Sequence, residues 1–166
     1  MTNRKFAFVI LLCVAKISVA GAGVGAVRDE ETLCRVDEDI YFSCPLANEK
    51  VISICAKNNY EPGEGYIKYR YGRNDGFLEI LEGHIGSGNL FSISDVSEGS
   101  IRGLHLKITN GAYVYVVSSV WPGGVYVSRN GRVIMDQECR SSKYKNFSDN
   151  VSDGVKWVLP SEVDVH

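Results

Sequence analysis

The sequence predicts an all-β fold: an antiparallel arrangement of about eight short strands, closed as a small barrel or packed as a two-sheet sandwich. Three observations predict it. Apolar and polar residues alternate with a period of two through most of residues 39–138. Turn signals with a mechanism separate the alternating runs, above all Asn110-Gly111 and Asn130-Gly131, which tolerate the positive φ of tight hairpins. No stretch longer than a turn or two carries helical periodicity. So many short strands must close or stack to manage their edges, and spacing does not choose between the two.

The 166 residues are 45% hydrophobic and 23% charged, with net charge −2. That composition excludes collagen-like, low-complexity and wholly disordered chains, and the length fits one domain. Residues 1–20 read as a signal peptide. A basic start at Arg4-Lys5 precedes an apolar run from Phe6 to Ala15, and Ser18-Val19-Ala20 forms a small-x-small cleavage site. Ala26 is a second cleavage position. Lys16 interrupts the run, which is short of the roughly 20 residues a membrane span needs. Cleavage at Ala20 removes three basic residues and no acid. The mature chain then has 146 residues and net charge −5, which does not favour nucleic acid or an anionic membrane surface. Residues 21–33 form a Gly-rich, flexible and disordered lead-in.

Residues 34–140 form the β domain. Strands are expected near 39–44, 50–56, 65–71, 76–81, 89–94, 101–109, 112–120, 123–128 and 131–138. In Tyr66–Tyr71, the residues Tyr66, Lys68 and Arg70 share a basic outer side. In Ile101–Thr109, Leu104, Leu106 and Ile108 share an apolar face, with His105 and Lys107 on the other. Ala112–Trp121 is apolar on both faces, which places it centrally in its sheet. Residues 141–166 are a polar C-terminal tail, with a short helix near Ser142–Asn150 or an extended course.

Cys13 leaves with the signal peptide, so Cys34, Cys44, Cys55 and Cys139 remain, an even set suited to an oxidising compartment. Four cysteines allow three connectivities. A turn at Ala47–Lys50 places Cys44 opposite Cys55, which leaves Cys34 to join Cys139. A long-range link of that kind constrains the unfolded chain by roughly 4–5 kcal/mol in the entropy model. The spacings do not suit zinc.

Catalytic signatures are absent. There is no GxSxG elbow and no HExxH. Ser87, His84 and Asp95 offer the residue types of a triad, with His84 in a Gly-rich loop, but geometry and not composition defines a triad. Gly21–Gly25 lacks the strand and helix of a dinucleotide loop. Asp37-Glu38-Asp39 lacks the spacing of a calcium loop. Glu79/Glu82 and Asp136/Glu138 are carboxylate pairs of the sort an exposed strand carries. Asn146 and Asn150 match the N-glycosylation pattern. No cofactor and no metal are expected. The residue types of a recognition surface are present in Tyr66, Lys68, Arg70, Tyr113, Tyr115, Trp121 and Tyr126. Packing within and between strands is their other use.

The series Tyr41–Asn48, Ile52–Cys55, Tyr66–Gly72, Thr109–Tyr113 and Gly124–Arg132 ahead of Cys139 resembles a family of small exported β-rich, disulfide-containing proteins of Gram-negative bacteria. The resemblance covers about residues 34–140. It implies export and a β fold, and transfers no catalytic or binding residue. In size, disulfides and β content the chain is more loosely similar to periplasmic lysozyme inhibitors, whose inhibitory loop motif it lacks. The expectation is a secreted or periplasmic, non-catalytic binding module for a protein or cell-envelope ligand, with no stable membrane insertion after cleavage. A lysozyme-inhibitor-like protein is the alternative, and a hydrolase using the His84 loop the second.

Overall fold

The computed structural model describes residues 31–83, 90–140 and 144–165. The expected signal peptide at residues 1–20, the His84 loop and His166 lie outside them. Among the described residues, nine antiparallel strands form two sheets in simple meanders. The first sheet is β1 (Asp39–Pro45), β2 (Val51–Lys57), β3 (Tyr66–Arg73) and β4 (Gly76–Gly83), in that order. The second is β5 (Phe91–Asp95), β6 (Leu104–Asn110), β7 (Tyr113–Ser118), β8 (Gly124–Arg129) and β9 (Arg132–Glu138). The sheets pack as a sandwich and do not close into a barrel. Phe42, Ile52, Ile54 and Tyr69 from the first meet Ile93, Leu106, Ile108, Val117 and Val125 from the second in one core. Each such side chain contributes about 1.5–3 kcal/mol by leaving water.

Local chemistry explains the hairpins. Arg129 pairs with Arg132, leaving Asn130 and Gly131 at φ 51° and 77°, the left-handed pair a tight hairpin requires. Asn110 itself ends β6, and Gly111 takes the positive φ of 61°. β7 lies centrally, between β6 and β8. β6 starts at Leu104, later than alternation suggests, because Glu98 and Ile101 exchange backbone hydrogen bonds in a tight turn.

The expected disulfide pairing is corrected. Cys34 bonds Cys55 and Cys44 bonds Cys139. The β1–β2 turn closes between Pro45 and Val51, so Cys44 stands opposite Ile52 and points into the core. Cys55, an odd number of residues from Ile52, belongs to the other face of the sheet, out of reach of Cys44. The expected helix is also displaced. It is a single turn at Val151–Gly154 (α1), followed by a 3₁₀ turn at Glu162–Asp164.

Two chain segments lie across the outer sheet faces. Residues 31–38 cross the first sheet. The Leu33 N–H donates to Ser53 Oγ at 2.9 Å, Ser43 Oγ donates to the Glu31 carbonyl at 2.7 Å, and Cys34–Cys55 pins the crossing. Residues 144–165 first complete the core with Phe147, Val151 and Val155. They then run beside β5, where Trp157 bridges Ile93, and cross the second sheet. No helix among the described residues is long and apolar enough to cross a membrane.

Candidate functional site

Pairing register places polar residues in rows on the outer faces, because directly paired residues share a face. On the first sheet, Ser43, Ser53, Arg70 and Glu79 form one row. On the second, one row is Ser94, His105, Ser118, Gly124 and Glu138. The next is Ser92, Lys107, Val116, Tyr126 and Asp136.

The first row is closed. The Arg70 side chain is fully buried. It donates to both Glu38 carboxylate oxygens, to Glu79 Oε2 at 2.7 Å and to the Leu33 carbonyl at 2.9 Å. Burial works against the Glu38 charge, yet the hydrogen bonds from Arg70, the Arg35 N–H and Tyr66 outweigh it and hold the carboxyl below the usual range. Cys34 and Cys55 lie within 4.8 Å of Glu38, but their sulfurs are joined to each other and Glu38 is bound to Arg70. That group is structural.

The second face is partly open. Asp164, from the crossing segment, buries its carboxylate against the sheet. Oδ1 lies 3.0 Å from His105 Nδ1, and Oδ2 accepts from Lys107 Nζ at 2.5 Å and from the Ser161 N–H at 2.7 Å. Burial opposes the charge, and these hydrogen bonds overcome it, so Asp164 stays ionised. Burial is also the leading influence on His105; it lowers the imidazole below its ordinary value despite Asp164. A neutral ring facing an ionised carboxylate carries its proton on Nδ1, which leaves Nε2 an acceptor. Tyr126 donates its hydroxyl to the Val163 carbonyl at 2.7 Å and meets the His105 ring edge-on.

Beside this cluster is a concavity of about 580 Å³. His105, Ser118, Gly124 and Tyr126 line it from the sheet. Val96, Ile101, Val120 and Pro122 supply apolar walls. Glu98, Asp136 and Glu138 add carboxylates, and no lysine or arginine is among the described lining residues. Glycine matters at Gly124, where a Cβ would stand 2.6 Å from the Gln137 carbonyl. Across the crossing segment lies a smaller, more apolar hollow of about 490 Å³, lined by Val114, Val133, Val163 and Val165.

In comparison with known proteins, no family model, no curated protein and no solved structure matches the chain. The chemistry of the concavity therefore stands on its own residues.

Ser118, His105 and Asp164 are the residue types of a catalytic triad. Ser118 pairs with His105 across β6 and β7. Its Oγ, however, accepts from the Val120 N–H at 3.2 Å, and no described hydrogen bond joins it to His105. An activated serine needs that bond. The His105 imidazole is held by the Asp164 carboxylate and not linked to Ser118 by any described hydrogen bond.

The seven residues of the expected recognition surface do not share one face. Tyr66, Lys68 and Arg70 come together on the first sheet, where Tyr66 donates to Glu38 at 3.0 Å and Lys68 to Glu79 at 3.1 Å. The basic side read from Tyr66–Tyr71 is thus not a solvent face at Arg70, which residues 31–38 cover. Tyr113 and Tyr115 face the other sheet, with Tyr115 packed 5.4 Å from Tyr69. Trp121 is 70% exposed in the β7–β8 loop, beside the wall residue Pro122. Tyr126 alone of the seven lines the concavity. Asp164 and Lys107 were not visible as a pair in the sequence, being 57 residues apart.

Proposed function

We propose that this chain is an exported, non-catalytic binding module of the periplasm or cell exterior that holds its ligand in the concavity of the second sheet. The concavity itself carries the reading. It combines apolar walls with a few fixed polar groups, the composition of a ligand site. Its polar floor is held rigid by Asp164, so little ordering is required on binding. Two disulfides suit an oxidising compartment, and residues 1–20 have the layout of an export signal. The unlinked Ser118 favours binding over hydrolysis. The test is affinity capture from a periplasmic extract with oxidised protein, compared with an Ile101→Arg variant that blocks the wall. Saturable capture that the variant loses supports the reading; capture that the variant retains overturns the site.

The acidic lining favours one second reading, a lysozyme-inhibitor-like protein. Lysozyme is cationic, and opposite charge assists encounter. Lysozyme activity measured with added protein decides it, and unchanged activity at micromolar excess ends it.

A further inference from the structure

We infer that the concavity receives a lysine or arginine side chain presented by a cationic protein, an inference that rests on the binding-module reading above. Three features converge on that ligand. The first is sign. Glu98, Asp136 and Glu138 line the cavity, none of its described lining residues is basic, and Lys107, on the neighbouring row, is paired with buried Asp164. The second is the buried floor. His105 is 5% exposed and points its Nδ1 at Asp164, and no described residue bonds Nε2. A neutral Nε2 accepts a hydrogen bond from an ammonium or guanidinium and offers nothing to an anion. The third is the wall. Val96, Ile101, Val120 and Pro122 suit the methylene stem of Lys or Arg, whose head reaches polar groups while its stem lies on apolar surface.

A bare metal ion fits less well. Among the described residues, no three His, Cys, Asp or Glu donors in this cavity converge closely enough to share an ion. Apolar walls would also face such an ion with no favourable contact. A small free amine satisfies the floor but leaves the mouth unused, where Glu98 and Glu138 are exposed. A side chain carried on a folded basic surface engages both.

The experiment is a backbone-amide NMR titration of the oxidised mature protein with three probes. N-acetyl-arginine amide supplies the guanidinium, N-acetyl-citrulline amide is its neutral isostere, and lysozyme is a folded cationic protein. The arginine probe is expected to shift Ser118, Gly123 and Gly124 saturably, at least tenfold more tightly than the citrulline probe. Lysozyme is expected to shift the same amides at lower concentration still. Glu98→Gln with Glu138→Gln should weaken both by about tenfold, because these exposed groups act through charge and not through the fold. Equal binding of the citrulline probe at these amides refutes the cation and leaves a binding module standing. Arginine binding without lysozyme binding refutes the protein partner. No shift at these amides with any probe refutes both the inference and the site.

Discussion

Replacing Glu38 by Gln tests the closed face of the first sheet. The substitution keeps shape and removes one charge, so buried Arg70 loses its main counterion. Breaking one side of a buried pair costs about 3–5 kcal/mol, because the remaining charge stays desolvated. Glu79 still accepts from Arg70 at 2.7 Å, and its side chain is only 30% exposed, which places the cost near the low end of that range. The segment cannot escape by fraying, since Cys34–Cys55 holds it four residues away. The loss should therefore register as global unfolding. With a urea slope of about 1.5 kcal/mol per molar, a cost of about 3 kcal/mol lowers the midpoint by about 2 M, with the slope unchanged. Adding Arg70→Met removes the stranded charge and should recover part of the loss. A midpoint shift below about 0.3 M for Glu38→Gln would refute the reasoning, as it would mean that Arg70 is solvated.

Other outcomes follow from the same contacts. Mass spectrometry of non-reduced peptides should find Cys34–Cys55 and Cys44–Cys139, and a Cys44–Cys55 peptide would contradict the register of β1 and β2. Leu106→Ala should cost about 2–5 kcal/mol in urea unfolding, because Leu106 is fully buried between the sheets. Stability should fall in two stages as pH drops. His105 is held low in the folded state, with Asp164, Lys107 and Tyr126 facing it, so the unfolded chain takes up its proton first. Its contribution is complete above pH ~6.5 and declines below it. Glu38, Glu79 and Asp164 are also held low, and their contribution is lost further down, as pH falls below the ordinary carboxylate range near 4. His105→Gln should remove the first stage and keep the second, measured as urea midpoints from pH 8 to 4. An unchanged profile would show that His105 is not buried neutral.

Much of the fold was legible because it rests on local rules. Alternation put Leu106 and Ile108 on one face and His105 and Lys107 on the other, and all four lie so. Asn130-Gly131 announced its hairpin through backbone freedom alone. The disulfides were not legible, because pairing depends on which face each cysteine occupies, and a turn misplaced by a residue changes the face. The site was less legible still. Asp164 comes from a stretch with no strand pattern, and only the tertiary course brings it over His105. Arg70 looked like a surface charge because nothing local shows that Glu38, 32 residues earlier, lies on top of it. Exposed and covered outer faces carry similar residues, and the difference is what crosses them.

The central claim, that the concavity of the second sheet is where a partner docks, is tested most directly by site-specific photocrosslinking in the cell that makes the protein. A benzophenone side chain replaces Ile101 on the concavity wall, or Leu78, an exposed position on the first sheet. Irradiation should produce a discrete crosslinked species from position 101 and none from position 78. Crosslinking from 78 and not from 101 would contradict the account and move the binding surface to the opposite sheet.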